Sequence, residues 1–398
     1  MQSFIVIGGG LAGLTAANAL ARPHRRVVLY EQSVRLGGRA GTQQHQGFQL
    51  NFGPHALYRG GRALSTWREW KIPFHGTVPD LTSDAFLTCG GTKYDLIGNP
   101  AGLLRSRLFR LGEKLQAARL FSGLQSGATL PGESMEHWLD RHAGTPRVRS
   151  MGEAIARVST YTAGMSLLSA EAALAQIRMA TREGVLYLDG GWQTVIDGLA
   201  RRAQELGVEI RRGESLDHLR HIDATGVILA IPPKAIERLS GARLPSLTPV
   251  RMATLDLGLR SFPAGAARFA LGMDRPLYLS LHSTAARLAP VSAALVHVGK
   301  YLGPGKTDAN SVRAELEHHA DLCIPGWRDQ AEVVRYLPSL PVTHAAAPSG
   351  RPDVDALRME GVAIAGDWVG SEGMLADAAV ASALRAAAVV QQREVKAA

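Results

Sequence analysis

Three glycines near the start of the chain constrain its fold more than any other feature. Gly8, Gly10 and Gly13 form the pattern G-x-G-x-x-G between the apolar run 4–7 and a helical pattern, and a second apolar run follows at 27–30. Such a turn lets the backbone approach a pyrophosphate, and the helix after it supplies unpaired N–H groups. The sequence therefore predicts a strand, helix and strand unit of the Rossmann type, which binds the ADP half of a dinucleotide.

An acidic residue is placed to bind the adenosine ribose of the dinucleotide. Glu31 ends the second predicted strand, roughly 20 residues after the glycine turn, where a carboxylate accepts hydrogen bonds from the adenosine ribose hydroxyls. The same negative charge repels a 2′-phosphate, which argues against NADP. We predict that Leu11, Ala12 and Gln32, which adjoin these motifs, also contact the nucleotide.

The nucleotide-binding fold draws on two later parts of the chain. A helical pattern at 194–206 is followed by buried strands at 208–210 and 226–231, and a strand at 362–365 precedes an alanine-rich helix at 376–392. These segments have the composition of further strand and helix units of a parallel sheet. We predict an α/β protein whose Rossmann-type domain is discontinuous and consists of residues 1–75, 187–240 and 351–398.

Two long inserts separate these pieces, at 76–186 and 241–350, and we predict that they form one α+β substrate domain. The first insert has mostly helical patterns. The second contains alternating runs at 267–271, 277–281 and 294–298, which predict strands of a sheet.

One helical pattern in the first insert allows two interpretations. Within 103–124, Leu104, Leu108, Leu111 and Leu115 recur at helical spacing, and the same segment has five basic residues. A helix that lies on a membrane surface is one interpretation. An ordinary amphipathic helix is favoured, because the basic residues are not confined to one face and no aromatic residues anchor the apolar face.

Composition narrows the class of protein. Cys89 and Cys323 lie far apart and outside any metal-ligand spacing, so we predict neither a disulfide nor a metal site and expect a cytoplasmic protein. The run 4–7 is too short for a cleaved leader or a spanning helix, so we expect the mature chain to begin near Met1. A net charge of +9 suits an acidic partner, such as an anionic substrate or membrane surface, but the scattered arginines predict no nucleic-acid binding.

A second glycine motif follows the acidic residue. Residues 35–42 read RLGGRAGT, in which Gly37 and Gly38 permit close backbone approach and Arg39 can face a pyrophosphate. Here the sequence resembles the superfamily of flavin-containing amine oxidases and phytoene desaturases, whose second motif reads RxGGR. The resemblance implies an FAD cofactor with Arg39 beside its phosphates.

The C-terminal residues resemble the third motif of that superfamily. Gly366 and Asp367 match the glycine and acid that contact the ribityl and phosphate part of FAD, and the helix at 376–392 matches the one whose N-terminus faces the flavin. Met374 and Leu375, which we include in the predicted FAD site, look more like the squalene- and phytoene-associated desaturases than the amine oxidases. No cysteine lies near this motif, so the resemblance implies non-covalent FAD.

The stretch after the second motif runs under the flavin in the superfamily. Gly53, Pro54 and His55 lie in it, and His55 is the predicted catalytic residue, because a neutral imidazole orients substrate or moves a proton near neutral pH. A purely structural role is an equal alternative for one of 13 histidines. Ile210 and Ala230 complete the predicted FAD site, since their segments also follow the superfamily pattern.

The resemblance implies an FAD-dependent oxidoreductase that removes hydride from a largely apolar small molecule and so desaturates a C–C bond or oxidises a C–N bond. Three alternatives stay open. The first is an amine oxidase, for which Lys300 is the candidate for the lysine that holds a water in many such enzymes. The second is a redox-neutral alkene isomerase, and the third is a flavin-binding protein without turnover. The sequence sets neither the substrate, the electron acceptor nor the oligomeric state.

Overall fold

A computed structural model describes residues 2–219, 223–346 and 350–397. Its strands are, in chain order, β1 (Gln2–Ile7), β2 (Arg25–Glu31), β3 (Thr42–His45), β4 (Phe48–Asn51), β5 (Leu57–Tyr58), β6 (Gly76–Thr77), β7 (Ala85–Cys89), β8 (Thr92–Asp95), β9 (Val185–Leu188), β10 (Glu209–Arg212), β11 (Gly226–Leu229), β12 (Val250–Leu259), β13 (Phe269–Gly272), β14 (Leu277–Leu281), β15 (Ala294–Leu302), β16 (Ala331–Thr343) and β17 (Val362–Ile364). Its α-helices are α1 (Leu11–Leu20), α2 (Arg62–Glu69), α3 (Pro100–Arg105), α4 (Leu111–Ser126), α5 (Met135–His142), α6 (Pro146–Thr160), α7 (Ala170–Arg182), α8 (Gln193–Glu205), α9 (Pro233–Ser240), α10 (Ala309–Cys323), α11 (Trp327–Gln330) and α12 (Leu375–Ala397).

The first sheet is parallel and has the strand order β10-β2-β1-β11-β17. Its strands come from the three chain segments in which parallel strands were predicted, and α1 packs between α8 and α12 beside it. β1 lies inside the sheet because β2 and β11 pair with its two edges, which explains why Phe4 and Val6 are fully buried. The predicted α/β class with a parallel sheet is confirmed.

The turn between β1 and α1 depends on the absence of two side chains. Gly8 has a φ of 107°, a conformation that glycine adopts without a Cβ clash. A Cβ atom on Gly13 would lie 1.8 Å from the carbonyl oxygen of Gly8, so α1 could not pack this closely against the turn. The first and third glycines of the motif therefore set the backbone path.

The second sheet has the order β16-β12-β15-β14-β13-β7-β8. It takes the hairpin β7–β8 from the first insert and its other strands from the second, and β13 joins them by pairing with β7 in parallel. Helices α3 to α7 follow the hairpin, in keeping with the helical patterns of the first insert. The limits assigned to the two domains stay a prediction.

The predicted single helix over 103–124 is wrong. α3 and α4 are separate, because Asn99 and Pro100 begin one helix and Glu113, which accepts a hydrogen bond from the Arg110 backbone N–H, stabilises the start of another. The predicted leucine stripe is also not the buried face: Leu104, Leu111 and Leu115 are 67%, 84% and 57% exposed. Leu108 is the one member of the stripe that is buried, and the other buried residues of this segment are Leu103, Phe109, Ala117, Leu120 and Leu124.

Two further elements were not expected. Pro232 and Pro233 follow the predicted strand at 226–231 and begin α9, because Pro233 at its first position needs no hydrogen-bond acceptor. The insert that was predicted as mostly helical also supplies the hairpin β7–β8. Among the described helices, none is both long enough and apolar enough to cross a bilayer.

Candidate functional site

A cavity of about 820 Å³ lies at the carboxyl ends of the parallel strands. Ile7, Tyr30 and Ala365 line it at the ends of β1 and β2 and just beyond β17. Nucleotides bind at this edge of open parallel sheets. The predicted site residues that line the cavity are Gly8, Gly10, Leu11, Ala12, Glu31, Gln32, Gly37, Gly38, Arg39, Pro54, His55, Ala230, Gly366, Asp367 and Leu375.

Two glycines present bare backbone to this cavity. A Cβ atom added to Gly10 would lie 3.8 Å from the Gly37 carbonyl oxygen, its nearest atom outside the adjoining residues and the helix backbone. A Cβ atom added to Gly38 would lie 3.8 Å from Gly10 Cα. Gly10 is also the N-cap of α1, and no side chain caps this helix. The first-turn N–H groups are thus left for a ligand, and a diphosphate fits this cradle in size and charge.

Glu31 holds the glycine loop and also lines the cavity. Its Oε2 accepts a hydrogen bond from the Gly9 backbone N–H at 2.6 Å, and its Oε1 accepts one from the Ser33 backbone N–H at 2.8 Å. An ionised carboxylate has about four acceptor positions. Two acceptor positions therefore stay available for ribose hydroxyls.

Arg39 and Asp367 meet across the cavity wall. Arg39 Nη1 and Nη2 donate to the two carboxylate oxygens of Asp367 at 2.7 and 2.9 Å, and Nη1 also donates to the carbonyl of Val342. Burial acts to raise the pKa of Asp367, but the charge and hydrogen bonds of Arg39 hold that pKa below its ordinary value. Both side chains are therefore charged at neutral pH, and the second and third predicted motifs meet at one point.

The first turn of α12 lines the cavity with an unusual backbone and a buried carboxyl group. Leu375 has a φ of 55°, a left-handed conformation that costs a residue with a Cβ about 1–2 kcal/mol. Asp377 accepts a hydrogen bond from the Ala63 backbone N–H at 2.9 Å, which ties α12 to the start of α2. Burial raises the pKa of Asp377 to about 6, although the bond from Ala63 opposes this shift.

His55 lines the same cavity. Its Nδ1 lies 3.0 Å from the carbonyl oxygen of Gly53, and its ring contacts that of Trp192 with a centroid separation of 5.2 Å. Burial lowers the pKa of His55 to about 4, although the bond to Gly53 opposes this shift. The imidazole is therefore neutral at physiological pH, and Nδ1 donates to the carbonyl.

Apolar and aromatic side chains line another part of the cavity. Tyr58, Tyr161, Met252 and Leu340 belong to it. The hydroxyls of the two tyrosines donate to backbone carbonyls, at 2.8 Å for Tyr58 with Ser159 and 3.2 Å for Tyr161 with Pro54. Since their hydroxyls are already bonded, both tyrosines offer mainly ring surface to a ligand.

Several predicted residues do not line the cavity. Gly13 packs against Gly8, Gly53 has a φ of 83° with Leu340 in the space of its missing Cβ, Ile210 lies on β10, and Met374 is buried in the neighbouring hydrophobic core. Lys300 does not line it either, because its ammonium group pairs with Glu315 of α10. This position does not suit Lys300 for the water-holding role considered for it.

Other cavity residues were missed by the sequence analysis. Lys234 and Arg238 lie one turn apart on α9, and a cationic pair just after a helix-starting proline was the signal that could have found them. Asp377 was visible as the acid in the first turn of the predicted last helix. Tyr161 had no local signal, because α6 brings it to the cavity from the insert.

One family model and two curated relatives match parts of this chain. The family model for flavin containing amine oxidoreductase matches residues 11–234, more than half of the chain. A phytoene dehydrogenase of Streptomyces griseus is 33% identical over 140 residues, which are 35% of this chain and 22% of that protein. A 4,4'-diaponeurosporene oxygenase of Staphylococcus aureus is 26% identical over 255 residues, which are 55% of this chain and 50% of that protein.

The matched regions therefore span about half, or less, of the length of these curated relatives. Among solved structures, an oxidoreductase from Methanosarcina mazei superposes with a TM-score of 0.76 at 18% identity, and the match covers 96% of this chain and 99% of that one. At this identity the structural likeness shows the fold alone.

Proposed function

This chain belongs to the flavin containing amine oxidoreductase family, and from that premise we propose that it is an FAD-dependent oxidoreductase that removes hydride from a largely apolar small molecule. The membership confirms the resemblance that was based on the two glycine motifs and the C-terminal motif. Phytoene dehydrogenase and 4,4'-diaponeurosporene oxygenase, the names of two relatives, support a carotenoid-like substrate. A cytoplasmic location remains part of the proposal.

One observation carries the proposal. A single cavity includes both the bare glycine cradle at Gly10 and Gly38 and the aromatic wall at Tyr58 and Tyr161. A ligand with a diphosphate and a planar ring system therefore has room to lie along it, with an apolar substrate against the ring. Bound FAD would supply the acceptor for the electron pair.

The side chains of this protein would bind, orient and exclude water. The α1 N-terminus and Arg39 would hold the phosphates, and Glu31 would accept hydrogen bonds from the ribose. The N-terminus of α12 would place its positive dipole end beside the flavin, where it stabilises added negative charge. His55, neutral because of its burial, would orient the ligands rather than supply a proton.

Amine oxidation is the second candidate, and Asp377 is the observation that favours it. Its carboxylate lines the same cavity as Tyr58, so a cationic ligand would find a charge partner and an aromatic face together. The bond from Ala63 leaves one carboxylate oxygen of Asp377 for such a ligand.

Anaerobic titration of the purified holoprotein tests both candidates. We expect the visible band of oxidised flavin to disappear on addition of carotenoid-like substrates and to persist with small amines. Bleaching by amines, with release of hydrogen peroxide in air, would establish the second candidate instead. An altered alkene with no bleaching would indicate the isomerase, and a flavin that no ligand class reduces or turns over would overturn the proposal of an oxidoreductase.

A further inference from the structure

The surface formed by α3 and α4 exposes apolar and basic side chains together. We call it the leucine–arginine face, and it consists of Leu104, Arg105, Arg107, Arg110, Leu111, Leu115 and Arg119, all of which are exposed. Lys114 donates a hydrogen bond to the carbonyl of Leu104, which holds the end of α3 against the first turn of α4. The three leucines are thus presented by two helices in contact.

These leucines cannot turn inward, because other residues of the same segment already fill the core. Leu103, Leu108 and Phe109 anchor the end of α3 and the link to α4, and Leu120 anchors α4 itself. Rotating either helix to bury the exposed leucines would expose these anchors. The outward position of the leucines therefore follows from the packing of the whole segment.

The charge on this face has one sign. Between residues 100 and 122 the chain has five basic residues and one acid, Glu113. Glu113 is turned to local partners: it accepts a hydrogen bond from the Arg110 backbone N–H at 2.9 Å and lies 3.7 Å from Arg147. Among the described residues, no carboxylate lies within ion-pair distance of Arg105, Arg107 or Arg119. Within the described part of the protein, these three arginines are therefore not held in ion pairs.

We propose that the leucine–arginine face docks on an anionic lipid bilayer, with the three leucines inserted among the acyl chains and the arginines at the phosphate level. Exposed apolar and cationic groups on the same pair of helices are the chemistry that such a surface recognises, since burial of the leucines and attraction to anionic headgroups add to each other. This inference rests on the surface alone and does not depend on the proposed function.

A second copy of this chain fits the face less well. A two-fold contact between identical faces would bring the arginines of both copies together, and like charges in such a contact oppose association. An ordinary amphipathic helix, which the sequence pattern favours, has its apolar face buried. α4 does bury an apolar face of this kind, formed by Ala117, Leu120 and Leu124, but Leu111 and Leu115 lie outside that face and are exposed.

Vesicle flotation of the full-length protein tests the proposal. We expect binding to vesicles of phosphatidylcholine with phosphatidylglycerol, weak binding to phosphatidylcholine alone, and loss of binding at high salt. The double variant Leu111→Ser with Leu115→Ser should weaken binding by roughly tenfold for each leucine. The matched control, Val291→Ser with Leu206→Ser, removes two exposed apolar side chains elsewhere and should bind as the unmodified protein does.

The basic residues have their own variant pair. Arg105→Gln with Arg107→Gln should weaken binding to anionic vesicles by roughly fivefold for each arginine. Arg243→Gln with Lys306→Gln makes the same change in net charge at two exposed positions outside the face and should have little effect. Circular dichroism and thermal melts would show that all four variants are folded.

Three different results would contradict the proposal that this face docks on a bilayer. If the leucine variant binds vesicles as tightly as its control, the proposal is overturned. If the protein ignores anionic vesicles but associates with itself in a way that the leucine variant abolishes, the face is an interface between copies and the proposal also fails. Binding that follows only net charge, equal in both arginine variants, would show general electrostatic adsorption and not this face.

Discussion

Arg39 and Asp367 form a two-point ion pair that joins the second glycine motif to the C-terminal motif. The side chain of Asp367 is 6% exposed and that of Arg39 is 37% exposed, so one partner is buried and the other is partly in contact with solvent. Removal of one charge from such a pair leaves its partner without compensation, which costs more than an exposed pair is worth.

We therefore expect Asp367→Asn to lower the free energy of unfolding of the FAD-free protein by about 2–3 kcal/mol, less than for a fully buried pair because Arg39 is partly solvated. Urea denaturation would measure it. The control is Asp353→Asn, which breaks the exposed pair with Arg385 and should cost less than about 1 kcal/mol. Equal losses in the two variants would contradict the special role of the Arg39 pair.

The glycine cradle predicts that a substitution at Gly10 prevents cofactor binding without preventing folding. Gly10→Leu should abolish FAD retention while the protein stays folded, because the new side chain enters the cavity and not the core. Absorption spectra and thermal melts of the purified protein would check both parts. Gly303→Leu, where a Cβ would meet no atom within 4 Å, is the matched control and should stay yellow.

Gly13 should behave in the opposite way to Gly10. Even Gly13→Ala should destabilise the FAD-free protein by several kcal/mol or prevent folding, because its Cβ would lie 1.8 Å from the Gly8 carbonyl oxygen. Thermal melts of the FAD-free protein would measure the loss. A stable Gly13→Ala protein that had merely lost FAD would show that the turn is looser than the structure indicates.

Asp377 predicts a pH dependence of stability. Its pKa is about 6 in the folded state, whereas an unfolded aspartate has a pKa of about 4, so between these values the folded chain binds the extra proton. The free energy of unfolding should therefore fall as the pH rises from 4 to 6, by roughly 2–3 kcal/mol for this group.

Urea denaturation of the FAD-free protein at acidic and neutral pH, for the natural chain and for Asp377→Asn, isolates this contribution. Asparagine keeps an acceptor for the Ala63 N–H but does not titrate. The variant should gain stability relative to the natural chain as the pH rises. A difference between the two proteins that does not change with pH would rule out the raised pKa.

The low pKa of His55 predicts that its imidazole does not titrate near neutral pH. Its pKa is about 4 when folded and about 6.5 when unfolded, so its contribution to stability should grow as the pH rises from 4 to 6.5 and then stay constant. In the proposed reaction, His55→Gln should slow flavin reduction by the same factor from pH 6 to pH 8, because the imidazole is neutral throughout. Stopped-flow measurements across that range would check it, and a factor that changes with an inflection near pH 6.5 would show that His55 transfers a proton.

The features of the site that the sequence alone determined depend on residues that lie close together in the chain. The turn at Gly8 and Gly13 needs a missing Cβ at fixed spacing, and Glu31 acts from the end of the adjoining strand, so a short stretch encodes both. Apolar runs likewise encode the parallel strands, because a strand buried on both faces needs apolar side chains throughout. For these reasons the fold class and the family could be predicted without the structure.

Tertiary structure alone decided the features that depend on distant partners. Asp367 meets Arg39 only because β17 and the second glycine motif reach the same edge of the sheet, and Tyr161 reaches the cavity only because α6 packs there. Leu104, Leu108, Leu111 and Leu115 had the spacing of a buried stripe, yet only Leu108 of these four is buried, and Leu103 and Phe109 join it in the core. Helical periodicity specifies that one face is apolar, whereas the choice of the face that is buried belongs to the packing of all the neighbouring elements.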